Sequence, residues 1–332
     1  MISSKRCFSG LLMAARGNGR GLFGPGLFGK CDLRRSPTLA EKPWALARRK
    51  SVGTKGEKMF GQTSTHAPAD SGVPSHARDF SVRGRVVIVT GAGQGIGREL
   101  ARQFAAAGAS VVIADLNLDK AESVRNEIRS TGGRALAVMV DVGAKDTVDA
   151  MVATVLKEFG RVDVLVNNAA IFATLNKVAF DQIPLEEWER VLRINVTGAY
   201  LCACAVAPAM RDAKWGRIIN ISSDSVPRGV PNYLHYVTSK SAIIGMTNAM
   251  ARELGQHGIT VNCIRPGAIA TEVERTHNPT EAFRVRVLGE QCLPKGQVPE
   301  DLAGTIIFLA TPAAGFVTGQ TIAVDGGLTH NS

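Results

Sequence analysis

Several function classes are closed off by what the chain does not contain. Its six cysteines (Cys7, Cys31, Cys202, Cys204, Cys263 and Cys292) form no C-x-x-C pair and meet no histidines at zinc spacing. No metal site is therefore expected, and the thiols read as free in a reducing compartment. Cys202 and Cys204 fall in an apolar helical run and are expected to be small core residues. No run of 18 apolar residues occurs, so no membrane-spanning segment is expected. The N-terminus lacks a secretory-type apolar stretch.

Net charge is also missing from most of the chain. The formal charge is +10, but residues 1–80 hold 14 Lys+Arg against 5 Asp+Glu, while the remainder holds 25 against 24. The basicity belongs to a leader, and a nucleic-acid surface is not expected in the folded part. Residues 1–80 are rich in Gly, Arg, Ser and Pro without sustained periodicity, and disorder is predicted there. Two readings of this leader stand open. One is an organelle transit peptide, which implies an organelle matrix. The other is an extension upstream of a start at Met59, with the cytoplasm as the location.

From residue 81 the pattern changes. Val86–Val89 is a short β-branched run, followed by T-G-A-G-Q-G-I-G (Thr90 to Gly97) and an amphipathic segment. A strand, a glycine-rich turn and a helix in this order lay a pyrophosphate on a helix N-terminus. Gly91 permits the tight turn, Gly95 lets the backbone approach phosphate, and Gly97 allows close helix–strand packing. A second strand, Ser110–Asp115, ends in a carboxylate where such folds read the adenosine ribose. Asp115 can accept from both ribose hydroxyls and would repel a 2′-phosphate. Two charges ~4 Å apart at an effective dielectric of ~20 cost roughly 4 kcal/mol before screening. NAD is therefore expected over NADP.

The alternation continues. Strands are predicted at 135–140, 162–166, 217–221, 259–264 and 320–325, with helices at 147–160, 185–211, 236–255 and 299–310. Residues 271–296 read as an irregular polar segment with a short helix. Asp141 and Val142, closing the third strand, are placed to hold an adenine edge. The expected fold is α/β, a single-domain Rossmann type with a doubly wound parallel sheet of about seven strands, over residues 81–332.

Between Ile221 and Lys240 lie a serine, Ser223, then Tyr236, then Lys240. A spacing of four on a helix puts the phenol and the ammonium on one face. The ammonium favours phenolate, lowering the tyrosine pKa from about 10. Such a phenol exchanges a proton with an alcohol or carbonyl oxygen that Ser223 also touches.

Taken with N-N-A-A (Asn167 to Ala170), Asn195, P-G (Pro266-Gly267) and the closing T-G-Q-T-I-A-V-D-G-G, these motifs resemble the short-chain dehydrogenase/reductase family, over about residues 80–330. The resemblance implies Tyr236 as acid/base, with Lys240 tuning it and holding the nicotinamide ribose. It implies Ser223 at the substrate oxygen and Asn195 anchoring a relay water. It implies a dinucleotide lined by Thr90, Gly91, Gln94, Gly95, Ile96, Gly97, Asp115, Asp141, Val142, Asn168, Ala169, Tyr236, Lys240, Pro266, Gly267, Ile269 and Thr271. The substrate is expected to be a small alcohol or carbonyl compound, walled by 171–177, 226–234 and 271–294. The resemblance extends to NAD-dependent secondary-alcohol dehydrogenases and to NADPH-dependent 3-oxoacyl-[acyl-carrier-protein] reductases; the former is favoured by Asp115. A catalytically silent nucleotide-binding protein is the alternative of another class, but silent relatives lose the tyrosine, the lysine or the glycine turn. Assembly as a homotetramer or homodimer is implied through the helices of Asn195 and Tyr236.

The chain also departs from the family pattern. Ala170 stands where glycine is usual. Asp224 stands where small apolar residues are common, and is expected to face solvent. His235 is expected to pack rather than catalyse, and Arg284 and Arg286 to be solvated.

Overall fold

Alternate residues of each inner strand face opposite sides of the sheet, and here both sides are apolar. In β1 (Val86–Thr90), Val87 and Val89 enter one core while Val86 and Ile88 enter the other. In β2 (Ser110–Asp115), Val111 and Ile113 oppose Val112 and Ala114 in the same way. Strands buried on both faces belong to a parallel sheet covered by helices twice over. The computed structural model, which describes residues 79–330, shows this arrangement.

The remaining strands are β3 (Arg134–Met139), β4 (Val164–Asn167), β5 (Gly216–Ile221), β6 (Ile259–Pro266) and β7 (Thr321–Val324). All neighbours pair parallel, in the order β3-β2-β1-β4-β5-β6-β7. One face is covered by α1 (Gly95–Ala106), α2 (Leu118–Ser130) and α9 (Glu300–Ala310) through Leu100, Phe104, Val124, Ile128 and Ile306. The other is covered by α3 (Lys145–Phe159), α5 (Gly198–Asp212) and α7 (Leu234–Leu254) through Val148, Met151, Val206, Met210 and Leu254. Shorter helices α4 (Leu185–Leu192), α6 (Ser225–Arg228) and α8 (Glu281–Glu290) gather beyond the C-terminal strand edge. The order reverses between β1 and β4, the switch point where open α/β sheets form their crevice.

The helix expected over 185–211 is interrupted. Arg193–Thr197 is a π turn between α4 and α5, closed by the Gly198 N–H on the Arg193 carbonyl. The extra residue turns Asn195 inward, where it is 2% exposed. The whole run Leu185–Asp212 is, by length and composition, one helix apolar enough to cross a bilayer. Part of it, Cys202, Ala203, Val206, Ala207 and Met210, packs into the core, while Leu185 and Tyr200 are exposed. Cys202 is buried in that core, where burial pushes its thiol up to about 12. Cys204, expected to be a core residue, is exposed instead, because it lies two residues on and faces away from the sheet.

The basic extension expected over residues 1–80 lies outside the described residues except for its last two. Phe80 stacks on Phe308 with centroids 6.2 Å apart, and the Asp79 carbonyl accepts from the Ala313 N–H. The packed fold therefore includes this pair.

Candidate active site

The turn between β1 and α1 forms the floor of the crevice. Gly91 has φ +63°, and a Cβ there would lie 2.8 Å from Ala169 Cα. A Cβ on Gly97 would strike the Gly91 carbonyl and come within 2.6 Å of Asn168 Nδ2. The glycines thus bring the turn against the N-N-A-A segment. Thr90 and Asn168 hold that contact. Thr90 Oγ1 accepts from the Asn168 and Ala169 N–H groups, both at 3.1 Å, and Asn168 Nδ2 donates to the Thr90 carbonyl at 2.9 Å. Gln94 precedes α1 and accepts from Lys120 Nζ at 2.6 Å, and Ile96 packs against the core. A glycine turn at a helix N-terminus fits a pyrophosphate, which would replace the Glu272 carboxylate now on the Gly95 N–H.

Asp115 ends β2 beside this turn. Its Oδ2 accepts from the Gly93 N–H at 2.8 Å and its Oδ1 from the Asn117 N–H at 2.9 Å. Each oxygen keeps a lone pair for a further donor. Asp141 accepts from the Gly143 N–H at 2.8 Å and lies 3.7 Å from Arg193, with Val142 buried beside it.

The second half of the crevice is built on β5, β6 and α7. Lys240 Nζ, 4% exposed by residue, donates to the Ile221 carbonyl at the end of β5 at 2.8 Å. Ser222 Oγ returns a bond to the Lys240 carbonyl at 2.8 Å, so strand and helix are tied twice. Ser223 follows, accepting from the Ser225 N–H at 3.1 Å. Tyr236 stands one helical turn before Lys240 and is 8% exposed, with the Ser223 hydroxyl near enough to act on its phenol. Ser223, Tyr236 and Lys240 are therefore brought together.

Their electrostatics differ from the expectation. Burial pushes the Tyr236 phenol up to about 12, with the Ser223 hydrogen bond acting in the opposite sense. Lys240 does not reverse this, because its ammonium is aimed at Ile221 and lies 5.8 Å from the phenol ring centroid. Burial instead pulls the Lys240 ammonium down to about 8.

Asn195 is also committed. Its Oδ1 accepts from the Ile171 N–H at 2.7 Å, and its Nδ2 donates to the Ile171 carbonyl and to Ser239 Oγ at 3.2 and 3.0 Å. Both amide hydrogens are used, so the expected relay water is not held by them. Asp224, expected in solvent, is 7% exposed: it accepts from Ser223 Oγ at 3.3 Å and from Arg228 Nη1 at 3.0 Å. Burial raises its carboxyl above the ordinary range, with Arg228 pulling it back. Arg228 also reaches Glu290 on α8 at 3.5 Å, linking the site to the segment above it.

Pro266 ends β6, and its carbonyl accepts from the Asp224 N–H. Gly267 donates its N–H to Gln297 Oε1 at 3.0 Å, and Ile269 pairs with Gln297 through a bridge. Gln297 thereby fixes the segment leading to Thr271; no sequence motif had singled it out. A second unforeseen group is the ladder in which Asn167 donates to Asn220 and Asn220 to Thr247, both at 2.9 Å. Next to Thr271, Glu272 Oε1 accepts from the Gly95 N–H at 3.0 Å, placing a carboxylate at the start of α1. His235 is fully buried and packs as expected, with Nε2 3.1 Å from Glu187 Oε1. Arg284 and Arg286 are exposed and pair with Glu281 and Glu290. Among the described residues no group of three His, Cys, Asp or Glu side chains is placed to hold a metal ion.

A family model described as Enoyl-(Acyl carrier protein) reductase matches residues 91–329. The 3-oxoacyl-[acyl-carrier-protein] reductase of Synechocystis is 42% identical over 246 residues, covering 74% of this chain and 96% of that one. A solved 7α-hydroxysteroid dehydrogenase, with NADH and 7-oxo glycochenodeoxycholic acid, is similar at TM-score 0.71 and 35% identity, covering 75% of this chain and 95% of that one. A Beutenbergia cavernae structure with NADP at low occupancy is similar at TM-score 0.70 and 34% identity, covering 75% and 98%.

Burial of Lys240 carries a pH signature. Below about 8 the ammonium is charged in both folded and unfolded states, and its desolvation opposes folding in full. Between about 8 and the ordinary 10.5 the unfolded chain binds the extra proton, so stability climbs with pH. Urea unfolding across this window is expected to show that climb in the wild type. Lys240→Met is expected to lose that climb, so the difference between the two proteins isolates it.

Proposed function

Because the chain belongs to the short-chain dehydrogenase/reductase family of oxidoreductases, we propose that it is an NAD(H)-dependent enzyme interconverting a small secondary alcohol and its ketone, with Tyr236 as acid/base. The observation that carries this reading is the convergence of Tyr236, Ser223 and Lys240 at the end of β5, across the crevice from the glycine turn. The nicotinamide, when bound, supplies the hydride donor or acceptor.

The chain's own residues do the rest. Thr90, Gly91, Gln94, Gly95, Ile96 and Gly97 hold the pyrophosphate. Asp115 holds the ribose, Asp141 and Val142 the adenine, and Asn168 and Ala169 the centre of the cofactor. Pro266, Gly267, Ile269 and Thr271 grip the carboxamide. Ser223, turning its hydroxyl from Asp224, donates to the substrate oxygen while Tyr236 gives or takes its proton. Burial keeps the phenol protonated, which suits it to act as an acid toward a ketone; in the oxidising direction the Lys240 cation, 5.8 Å from the phenol ring centroid, works against burial without cancelling it. Asn195 acts as a positioning residue, fixing Ile171 and Ser239 beneath Tyr236.

A second reading, an NADPH-dependent 3-oxoacyl-[acyl-carrier-protein] reductase, draws on the 42% identity to the Synechocystis enzyme. Asp115 separates the two, since its carboxylate disfavours a 2′-phosphate. A cytoplasmic location, by analogy with that bacterial relative, belongs to the same proposal. Assembly through α5 and α7 as a homotetramer or homodimer rests on the exposed Tyr200, 53% accessible on α5. A monomer in sedimentation velocity would contradict it.

The function is tested by following reduced nicotinamide with secondary alcohols and a 3-oxoacyl thioester as substrates. Turnover of an alcohol with NAD is expected, and Tyr236→Phe is expected to lower kcat by about 10²–10⁴-fold. Asp115→Ser is expected to raise the NADP/NAD ratio of kcat/KM by roughly 10- to 100-fold. Turnover of the thioester alone, with NADPH, would favour the second reading.

A further inference from the structure

The wall above Tyr236 carries a cation without a counter-charge. Phe172 lies against Tyr236, with ring centroids 4.6 Å apart, and 5.7 Å from Tyr233. The Arg275 guanidinium sits over the same Phe172 ring, 5.5 Å from its centroid. Arg275 is half-buried and gives one hydrogen bond, from Nη2 to the Ile269 carbonyl at 2.8 Å. Among the described residues no carboxylate lies within ion-pair distance of it.

The other arginines around this end of the crevice are answered. Arg228 meets Asp224 and Glu290, Arg284 meets Glu281, and Arg286 meets Glu290. A guanidinium carries five N–H donors in a planar fork that matches a carboxylate, and Arg275 commits one of them within the protein. A half-desolvated charge of this kind gains most from an anion that arrives with the ligand. The segment is held over the site rather than away from it, because the Thr276 N–H donates to the Ala173 carbonyl at 2.9 Å.

We propose that Arg275 is the receptor for an anionic group of the substrate, which makes this enzyme one for oxo and hydroxy acids rather than neutral ketones and alcohols; this rests on the oxidoreductase reading above. The carbonyl oxygen lies at Tyr236 and Ser223, and the carboxylate of the same molecule pairs with the guanidinium beside Phe172. Burial raises the Tyr236 and Tyr233 phenols, and Arg275 acts in the opposite sense on each, as a cation facing both. A neutral substrate leaves that cation uncompensated, so the charge discriminates as well as binds.

The test compares acetoacetate and levulinate with their methyl esters, in the wild type, Arg275→Met and Arg275→Lys, with reduced nicotinamide as readout. In the wild type each acid is expected to exceed its ester in kcat/KM by at least about tenfold. Arg275→Met is expected to abolish this acid/ester ratio, and Arg275→Lys, which keeps the charge without the fork, to keep part of it. Esters that match their acids in the wild type, or a ratio that survives in Arg275→Met, overturn the proposal and leave the oxidoreductase reading intact. If no probe turns over with either dinucleotide, the oxidoreductase reading is what fails. Calorimetric titration of levulinate then decides the subsite: binding at least about tenfold tighter to wild type than to Arg275→Met supports it, and equal or absent binding overturns it.

Discussion

A buried ammonium on a strand-end carbonyl is the constraint on which the rest of the site depends. Lys240 is withdrawn from water, where desolvating a charge costs several kcal/mol, and among the described residues no carboxylate repays it. What holds it is the Ile221 carbonyl, freed where β5 stops, together with the return bond from Ser222. This tie sets the rotation of α7 on the sheet, and with it the placement of Tyr236 one turn earlier. It also sets Ser223 one step beyond the strand. The grouping of Ser223, Tyr236 and Lys240 is thus maintained by an interaction that is unfavourable for folding at neutral pH.

The polar groups around this centre fall into two kinds. Some are internal braces: Thr90 with Asn168, Asn195 with Ile171 and Ser239, and Asn167 with Asn220 and Thr247 bond to one another, with Asn167 Oδ1 left over. Others are strand-to-lid ties. Asp224 connects Ser223 through Arg228 to Glu290 on α8, and Glu272 sits on the Gly95 N–H at the start of α1. The segment between β6 and α9 is therefore coupled by charge to both halves of the crevice. Arg275 is the exception within it, since its charge is met by an aromatic face and a carbonyl alone.

The fold was legible because its determinants are local. Short β-branched runs at regular spacing, each followed by an amphipathic segment, define a doubly covered parallel sheet, and the strand ends differ from expectation by two residues at most. The grouping of Ser223, Tyr236 and Lys240 was legible from spacing alone. What escaped depends on long-range packing. The π turn at Arg193–Thr197 does not disturb an apolar pattern of helical period, so 185–211 read as one helix. The burial of Asp224 depends on Arg228 arriving from the next turn, and Gln297 acts through contacts with a strand 27 residues on. Spacing also says which groups share a face but not where a flexible ammonium points, and Lys240 points at Ile221.

The central claim is that Lys240 and Tyr236 form one proton-transfer unit although burial alone would hold the phenol protonated. The most direct measurement is the pH profile of kcat/KM for alcohol oxidation at saturating NAD, in the wild type beside the residual activity of Lys240→Met. The account predicts a limb rising with pH in both proteins, displaced to higher pH when the cation is removed. Coincident limbs, or a flat profile in the wild type, would contradict it.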